Sequence, residues 1–575
     1  MSAIRTSPDR EAVQDSPTGA TRHLCAGVYT NEKLRNLVLK QVCTSPHRRV
    51  APSYGFDLVP VMRHAWWATH LSAATRLTAV AATATPLFLG SPWASLLLGG
   101  AGALLALLHL SATLLRDIAR QERRTRPQMQ REQRWRPFPV RSWAWRPEAK
   151  SLRTTGKWMT GISVVLLVVG LAQPEQGRAA ALLLGSTAAM FMLAGAARQA
   201  RINSIQRAVT LTPSRFSKRE REVSEQQSHP CVVYRRPKHS DADKYEPSSS
   251  RMFDKESPFV GAGELIHEWN PMIIRLRRPR GSGKPLGERE YKDAPFDAHE
   301  LVERLLTAVG DLNKDRTQTR LPVEVRDRVY MAETEVSQDR SYLSPEGIPA
   351  AEMRRIIDGD KARGLHFLEV SVPDYGSELV ATALLHVRSQ GNTLSLFFAA
   401  CALTRTPEEF QRAEEYGQNG KRAVLSSAFR GLLGLPREAA ECVRLALYPY
   451  FLLRALLPHD MTRTPIRNLG VATKISIREE HTQAWSTDQF DKTRILSHMK
   501  IVEQRLLDTT QDFLEERGVD ISEFKKRADH IIQNSFFNIG PNARISNSAM
   551  GHGAHANNIG GGPHPHAPQN GEAEQ

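Results

Sequence analysis

One stretch of the chain limits its possible folds more than any other. Residues 94–115 hold 22 residues without a single Asp, Glu, Lys or Arg. A hydrocarbon core about 30 Å thick is crossed by roughly 20 helical residues, so this run is long enough for a transmembrane helix. A second uncharged run, of 19 residues, covers 179–197. These two runs give the strongest indication of membrane spans in the sequence.

Two weaker apolar runs complete the pattern. Residues 71–89 contain Arg76, which lies near the start of the run and could reach the headgroups from there, and residues 158–172 number only 15. Together the four runs predict a membrane α-helical region with four spans in two hairpins, at 65–115 and 158–197. The alternative for each run is a buried core helix.

The segment between the hairpins predicts the orientation. Residues 116–157 carry nine more basic than acidic residues. The positive-inside rule therefore places this basic loop and both termini in the cytoplasm of a multi-pass protein of the plasma membrane. No predicted span carries an acidic residue. This favours an anchor over an ion-coupled transporter, which needs ionisable groups inside the membrane.

Aromatic and basic residues alternate beside the predicted spans. Half-buried rings and cations suit the zone of anionic lipid headgroups, and next to membrane spans this reading is favoured over nucleic-acid binding, which uses the same residue types. The residues predicted to lie at the lipid interface are Trp66, Trp67, Trp135, Trp143, Trp145, Arg134, Arg136 and Arg141. The predicted partners are an anionic bilayer, a cytoplasmic protein and a second copy of the chain.

The rest of the chain divides by composition. A negative mean hydropathy of −0.39 conceals the apolar runs because long polar stretches surround them. The predicted regions are a disordered N-terminus at 1–64, a polar linker at 198–256, an α+β cytoplasmic domain at 257–460, a helical region at 461–534 and a disordered tail at 535–575.

The clearest β pattern lies inside the α+β region. Residues 365–372, 379–387 and 393–403 are apolar and rich in β-forming side chains, with only short turns between them. Loops this short make neighbouring strands antiparallel, which predicts a three-stranded meander. Farther on, apolar residues from Ile495 to Phe513 alternate spacings of four and three. They predict either a helix packed on its own domain or a short coiled coil.

No motif identifies a catalytic residue or a cofactor. The segment Gly281–Lys284 lacks both the first glycine and the hydroxyl residue of a phosphate-binding loop, and the five cysteines have no metal-binding spacing. His267, Glu268 and His299 are candidates by residue type alone. Four histidines of the tail have no cysteine or acid that would complete a tetrahedral metal site: His552, His555, His564 and His566.

Six separate stretches carry a resemblance to known sequences: Tyr54–Asp57, Ser257–Gly263, the meander from Leu365 to Thr404, Thr473–Glu479, Asp512–Glu523 and, in the tail, Asn547–Gly553. They resemble an uncharacterised family of bacterial multi-pass membrane proteins with a cytoplasmic α+β domain. The resemblance is strongest at Thr473–Glu479 and Asp512–Glu523, and it implies the membrane architecture but no activity or catalytic residue.

The leading functional hypothesis from the sequence is a multi-pass membrane protein that presents a cytoplasmic sensing or scaffolding module. Its basis is the four charge-poor runs followed by a long region without a catalytic motif. The alternatives are a membrane-bound enzyme with an unrecognised site and a small channel or transporter subunit.

Overall fold

A mixed seven-stranded sheet forms the centre of the computed structural model. The strands are β1 (Cys231–Tyr234), β2 (Glu264–Glu268), β3 (Met272–Arg275), β4 (Glu324–Ala332), β5 (Leu365–Asp374), β6 (Leu379–Gln390) and β7 (Thr393–Leu403). Their order across the sheet is β1-β4-β5-β6-β7-β2, and β3 also pairs with β7. Among the strand pairs in the described residues, only β1–β4 is parallel. The fold is therefore α+β with a mixed sheet.

The structure describes residues 17–46, 48–88, 176–234, 259–269, 271–279, 286–314, 321–336, 341–359, 364–442, 448–456, 471–473, 475–483 and 488–534, with single positions among 95–168 and at 445 and 485. Within these residues the helices are α1 (Gly19–Thr30), α2 (Glu32–Val38), α3 (Leu58–Phe88), α4 (Gln176–Arg207), α5 (Lys218–Ser228), α6 (Ala298–Gly310), α7 (Glu333–Val336), α8 (Ala350–Ile357), α9 (Glu408–Leu433), α10 (Leu435–Glu441), α11 (Tyr448–Leu456), α12 (Gln489–Glu516) and α13 (Ser522–Asn534).

The predicted meander is present as β5, β6 and β7, which pair in sequence and antiparallel. The turn between β5 and β6 has an unusual backbone. Tyr375, Gly376 and Ser377 follow one another with φ of 47°, 64° and 67°. Side chains rarely adopt this left-handed region, and residues held there often lie at functional or tightly constrained positions.

One face of the sheet is covered by helices from the C-terminal part of the chain. Ile495, Met499, Val502 and Leu506 of α12 are each at most 1% exposed and belong to one core with the sheet residues Leu368 and Phe398. Helices α6 and α13 supply further apolar side chains to this core. The heptad-like spacing of α12 therefore packs that helix on its own domain.

The other face of the sheet contains a fully buried ion pair. Arg328 on β4 and Glu369 on β5 are 0% and 1% exposed, and Arg328 Nε lies 2.9 Å from Glu369 Oε2. The Tyr54 hydroxyl donates to the same carboxylate oxygen at 2.7 Å. Although burial opposes the charge, Glu369 holds the pKa of Arg328 above its usual range. The pair joins two strands to the segment before α3.

A second, helical core lies beside the sheet. Apolar residues of α1, α2, α3, α4, α5 and α9 are buried together in it. Helices α4 and α9 cross closely, since a Cβ atom built on Gly195 would lie 2.4 Å from the Ser427 carbonyl oxygen, and one built on Gly431 would lie 2.5 Å from that of Phe191. Small residues are therefore required where these two helices meet.

The structure contradicts the predicted membrane architecture. Across the described parts of the chain, no helix has both the length and the apolarity needed to traverse a lipid bilayer. The four spans in two hairpins are therefore wrong. The predictions that depended on these spans are also wrong. They are the multi-pass plasma-membrane localisation, the role of a multi-pass protein presenting a cytoplasmic module, and the channel or transporter alternative.

The two runs that the structure covers have other roles. Residues 71–88 lie in α3, where Arg76 is 6% exposed and ion-pairs with Glu438 at 3.0 Å rather than extending towards headgroups. Residues 179–197 lie in α4, whose Gly195 is needed for the close contact with α9. The runs 94–115 and 158–172 lie largely outside the described residues.

The predicted division of the polar regions also needs correction. Part of the supposedly disordered N-terminus forms α1 and α2, with Leu24 and Leu34 fully buried. Part of the supposed linker forms α5 and the edge strand β1. The sheet and helix α12 share one core, so the described parts of 257–460 and 461–534 pack as one body. The tail at 535–575 lies outside the described residues.

Candidate anion-binding site

A small cavity lies where the N-terminal segment meets a loop from the end of the sheet domain. Its walls are residues 41–42, 48–51, Phe56, Leu58 and 475–477, and it encloses about 20 Å³. A polar cavity of this size holds one water molecule or a single oxygen atom of a larger group. It is therefore large enough for one atom of a ligand and too small to enclose a drug-sized molecule.

Arg49 gives this cavity its chemical character. The residue is 7% exposed, and its buried Nη2 atom has no hydrogen-bond partner among the described residues. No salt bridge joins its guanidinium to a carboxylate in the same part of the chain. Burial lowers the pKa of Arg49, yet an arginine remains protonated at neutral pH. Arg49 therefore adds a buried positive charge to the residues of the cavity lining, and no carboxylate pairs with it in the part of the chain that the structure describes.

The loop that carries Arg49 is held by α5. Arg219 of that helix donates to the backbone carbonyl oxygens of Val42 at 3.0 Å and Pro46 at 3.4 Å. The Val50 N–H group donates to Gln226 Oε1 at 3.1 Å. These bonds fix the backbone on both sides of Arg49, so the position of its charge is set by the fold.

The opposite wall is equally well fixed. Ser476, which brings a hydroxyl group to this wall, is 2% exposed. The next but one residue, Arg478, is fully buried and donates to the carbonyl oxygens of Tyr54 at 2.6 Å and Glu378 at 2.8 Å. Arg478 therefore ties the wall that contains Ser476 both to the N-terminal segment and to the turn before β6.

The charge of Arg49 affects the pKa values of two neighbouring groups. Burial lowers the pKa of His229, and the positive charge of Arg49 lowers it further. Burial raises the pKa of the Cys231 thiol to about 11, and Arg49 opposes that rise. Both effects are those of a positive charge in a poorly solvated environment. The same positive charge would attract an anion placed in the cavity.

The described lining residues of the cavity include few polar side chains. They include two arginines, one glutamine, one serine and otherwise apolar side chains, with no carboxylate, histidine, cysteine or lysine among them. General acid–base catalysis needs a group that can exchange a proton near the operating pH, and nucleophilic catalysis by a serine needs an adjacent base. Neither is present among the lining residues that the structure describes.

A second charged cluster, near α1, is built differently. His23 is 5% exposed, its Nδ1 lies 2.6 Å from Glu378 Oε1 and its Nε2 lies 2.8 Å from Glu414 Oε1. Thr406 also binds Glu378, through its backbone N–H group at 3.0 Å. Because both ring nitrogens face carboxylates, the imidazole has no free lone pair for general base catalysis. The cluster fastens α1 and α9 to the sheet.

This cluster predicts a specific dependence of stability on pH. Burial opposes the charge on His23, but Glu378 and Glu414 together raise the pKa of His23. Likewise, His23 and Thr406 hold the pKa of Glu378 below its usual value in spite of burial. The contribution of His23 is therefore complete below its unfolded pKa and is lost as the pH rises through its higher folded pKa. The contribution of Glu378 is lost at acidic pH.

We expect His23→Gln to lower the free energy of unfolding by roughly 1–2 kcal/mol near pH 6, since one or two buried hydrogen bonds are lost. The difference from wild type shrinks towards pH 9. Urea denaturation across this range measures it, with His299→Gln as the control because His299 pairs with Asp358 in a more exposed position. A difference that stays constant from pH 6 to pH 9 would contradict the assignment.

The residues singled out in the sequence do not come together. His267 lies 3.8 Å from Glu503, and burial followed by the charge of Lys500 lowers the pKa of His267 to about 4. Glu268 is exposed at the end of β2, and His299 pairs with Asp358 at 2.9 Å. No group of three or more potential metal ligands occurs in the described ranges. The histidines at 552, 555, 564 and 566 lie outside those ranges.

The predicted lipid-interface residues are only partly covered. Trp66 packs on the helical core and stacks on His70 with ring centroids 5.6 Å apart. Trp67 is 55% exposed, with the Arg201 guanidinium 4.6 Å above its ring. The remaining residues of the set, at 134–145, lie outside the described residues. Their role at a lipid surface, the cytoplasmic partner and self-association stay predictions.

Sequence reasoning missed both Arg49 and Ser476. Arg49 stands in a basic, polar stretch that looks like many solvated segments, and Ser476 has no motif partner nearby. The one available signal was the stretch Thr473–Glu479, where the resemblance is strongest. Residues 475–477 of this stretch form one wall of the cavity.

The structure shows an α+β fold with a small cavity whose lining includes a buried arginine. Residues 268–546 match the family model described as the AbeC-like domain. This supports the predicted resemblance to a family, but the match says nothing of a bacterial source or of membrane passes. It includes the wall with Ser476, whereas Arg49 lies before it. No curated protein and no solved structure matched the chain.

Proposed function

We propose that this protein binds a small anion, or the anionic end of a larger molecule, through Arg49. The observation that carries this proposal is Arg49, which belongs to the cavity lining and whose buried Nη2 atom has no hydrogen-bond partner among the described residues. A carboxylate or phosphate oxygen fits both the size of the cavity and its charge. The Ser476 hydroxyl on the opposite wall supplies a second hydrogen-bond donor.

The energetics favour a bound anion. Removing an unpaired ion from water costs several kcal/mol, and a charge-assisted hydrogen bond recovers about 1.5–3 kcal/mol of this. An arginine kept in such a position lowers stability unless a ligand neutralises it. Anion binding thus explains why Arg49 occupies a buried position where an apolar residue of similar length would pack more favourably.

The test compares wild type with Arg49→Gln in a buffer of low anion content, using sodium phosphate, sulfate and acetate as probes. We expect at least one probe to bind wild type by calorimetry and to raise its unfolding temperature. Arg49→Gln should weaken that binding at least tenfold, because 1.4 kcal/mol corresponds to a factor of ten. Arg388→Gln, a change at an exposed arginine of β6, controls for non-specific salt effects.

Stability in the absence of the anion separates binding from a structural role. Arg49→Met removes the unpaired charge, so in the same buffer we expect it to raise the free energy of unfolding by roughly 1–2 kcal/mol. Added anion should then stabilise wild type but not this variant. Equal anion affinity in wild type and Arg49→Gln, or a clear loss of stability in Arg49→Met, would refute the proposal.

A further inference from the structure

The cavity lining contains a second arginine beside Arg49. Arg48 belongs to the same lining, and its Nη1 atom donates to Gln41 Oε1 at 2.8 Å. Gln41 is a lining residue as well, so this hydrogen bond joins two members of the cavity wall. No salt bridge connects Arg48 to a carboxylate in the part of the chain that the structure describes. The lining therefore includes two arginines, and neither is paired with an acidic side chain there.

The two arginines differ in their exposure to solvent. Arg49 is 7% exposed, whereas Arg48 is only partly buried. Other lining residues show the same difference, since Ser476 is buried like Arg49, and Gln41 and Phe56 are partly buried like Arg48. The lining therefore extends from the protein interior towards the surface. A group with several oxygen atoms can place one of them in the cavity and keep the others nearer to solvent.

The charges behind the lining do not supply a counter-ion. Arg219 pairs with Glu222 at 3.2 Å, so the charge of that arginine is balanced. Burial lowers the pKa of the fully buried Arg478 to about 10, and the charge of Glu378 opposes this. The carboxylate of Glu378, however, lies 2.6 Å from the His23 ring. One negative charge in the cavity would therefore leave the lining with an excess of positive charge.

We propose that the anion bound at Arg49 carries two negative charges, as the phosphate group of a phosphate monoester does, and that Arg48 makes the site select this class of anion. The inference rests on the proposed function, because it names the anion that the same site takes. A phosphate monoester has three acceptor oxygens, so one can bind Arg49 while another accepts from Arg48. A carboxylate offers two oxygens and a single charge. Arginine suits this role because its planar fork matches phosphate geometry.

The experiment is calorimetry of the full chain at pH 8, in the same buffer of low anion content, with methyl phosphate and dimethyl phosphate as probes. The two esters share a tetrahedral phosphorus but carry two and one negative charges, since the second pKa of a phosphate monoester is about 6. We expect methyl phosphate to bind wild type at least about tenfold more tightly, because its second charge gains a further charge-assisted hydrogen bond.

Arg48→Gln removes the second cation and keeps Arg49. We expect the dissociation constant of methyl phosphate to rise at least about tenfold and that of dimethyl phosphate to rise less than about threefold, so that the preference is largely lost. Arg221→Gln is the matched control. It makes the same change in net charge at an exposed arginine of α5, the helix that holds the loop with Arg49, and it should keep the preference of wild type.

The possible outcomes separate this inference from the proposed function. Equal affinity of wild type for the two esters, or binding of acetate without binding of methyl phosphate, would overturn the selection of a doubly charged group but leave anion binding at Arg49 intact. Binding of no anion at all would remove both. A preference that persists in Arg48→Gln, or that is lost equally in Arg221→Gln, would refute the role of Arg48. The wild-type comparison decides the class of anion even if Arg48→Gln does not fold.

Discussion

Replacing Glu369 with Gln should lower the free energy of unfolding by about 3–5 kcal/mol. The substitution keeps the shape of the side chain but leaves the guanidinium of Arg328 buried without its counter-charge. Removing one partner of a buried pair is costly for this reason. Arg328 also donates to the backbone carbonyl of His229 at 2.5 Å, so it has no room to turn towards solvent. Urea denaturation at neutral pH measures the loss.

Two further variants define what the pair contributes. Glu303→Gln removes an ion pair between Arg354 and Glu303 whose side chains are 60% and 62% exposed, and it should cost less than about 1 kcal/mol. The double variant Arg328→Met with Glu369→Leu should lose less than Glu369→Gln alone, because no buried charge is left unpaired. A loss below about 1 kcal/mol in Glu369→Gln would contradict the prediction, because it would mean that the charge of Arg328 does not need Glu369 as its partner.

Replacing Gly263 with Ala should lower the free energy of unfolding by more than about 3 kcal/mol. Gly263 precedes β2 with φ of 97°, and an added Cβ atom would lie 2.2 Å from the carbonyl oxygen of Ala402. The clash is with the backbone of β7, the strand with which β2 pairs through Glu264 and Ala402, so it cannot be relieved by the movement of a side chain. Thermal or urea unfolding reports the loss.

Alanine variants at two other glycines distinguish the effect of the steric clash from the effect of the backbone conformation. Gly359 has φ of 77° but open space around its Cβ position, so Gly359→Ala tests the left-handed conformation alone and should cost roughly 1–2 kcal/mol. Gly310 has neither the clash nor a positive φ, and Gly310→Ala should be neutral or slightly stabilising. The same loss in Gly263→Ala and Gly359→Ala would contradict the role given to the contact with Ala402.

The sequence predicted those parts of the fold that depend on neighbouring residues. The meander β5–β7 follows from three β-rich runs and two short turns, and the buried side of α12 follows from its helical periodicity. The parallel pairing of β1 with β4 could not be predicted, because it depends on contacts between residues that are distant in the chain.

The prediction of spans failed for a related reason. Uncharged runs rich in Ala, Gly, Ser and Thr suit a bilayer crossing, but they also suit helices that approach one another closely, as α4 and α9 do at Gly195 and Gly431. A span and a packed helix are distinguished here by the ion pairs of Arg76. Its partners Glu32, Glu438 and Glu441 are spread across the sequence, so these pairs could not be predicted from neighbouring residues. The candidate site was equally hidden, since Arg49 and Ser476 meet only in the folded chain.

The contacts of Arg478 have a consequence for the order of events during synthesis. A domain generally folds as its residues leave the ribosome, beginning at the N-terminus. The walls of the cavity are joined by a residue that emerges late, after Tyr54 and Glu378 have long been available. Nascent chains that end before Arg478 therefore contain Arg49 without the opposite wall of the cavity, so the complete cavity forms only after this residue has left the ribosome.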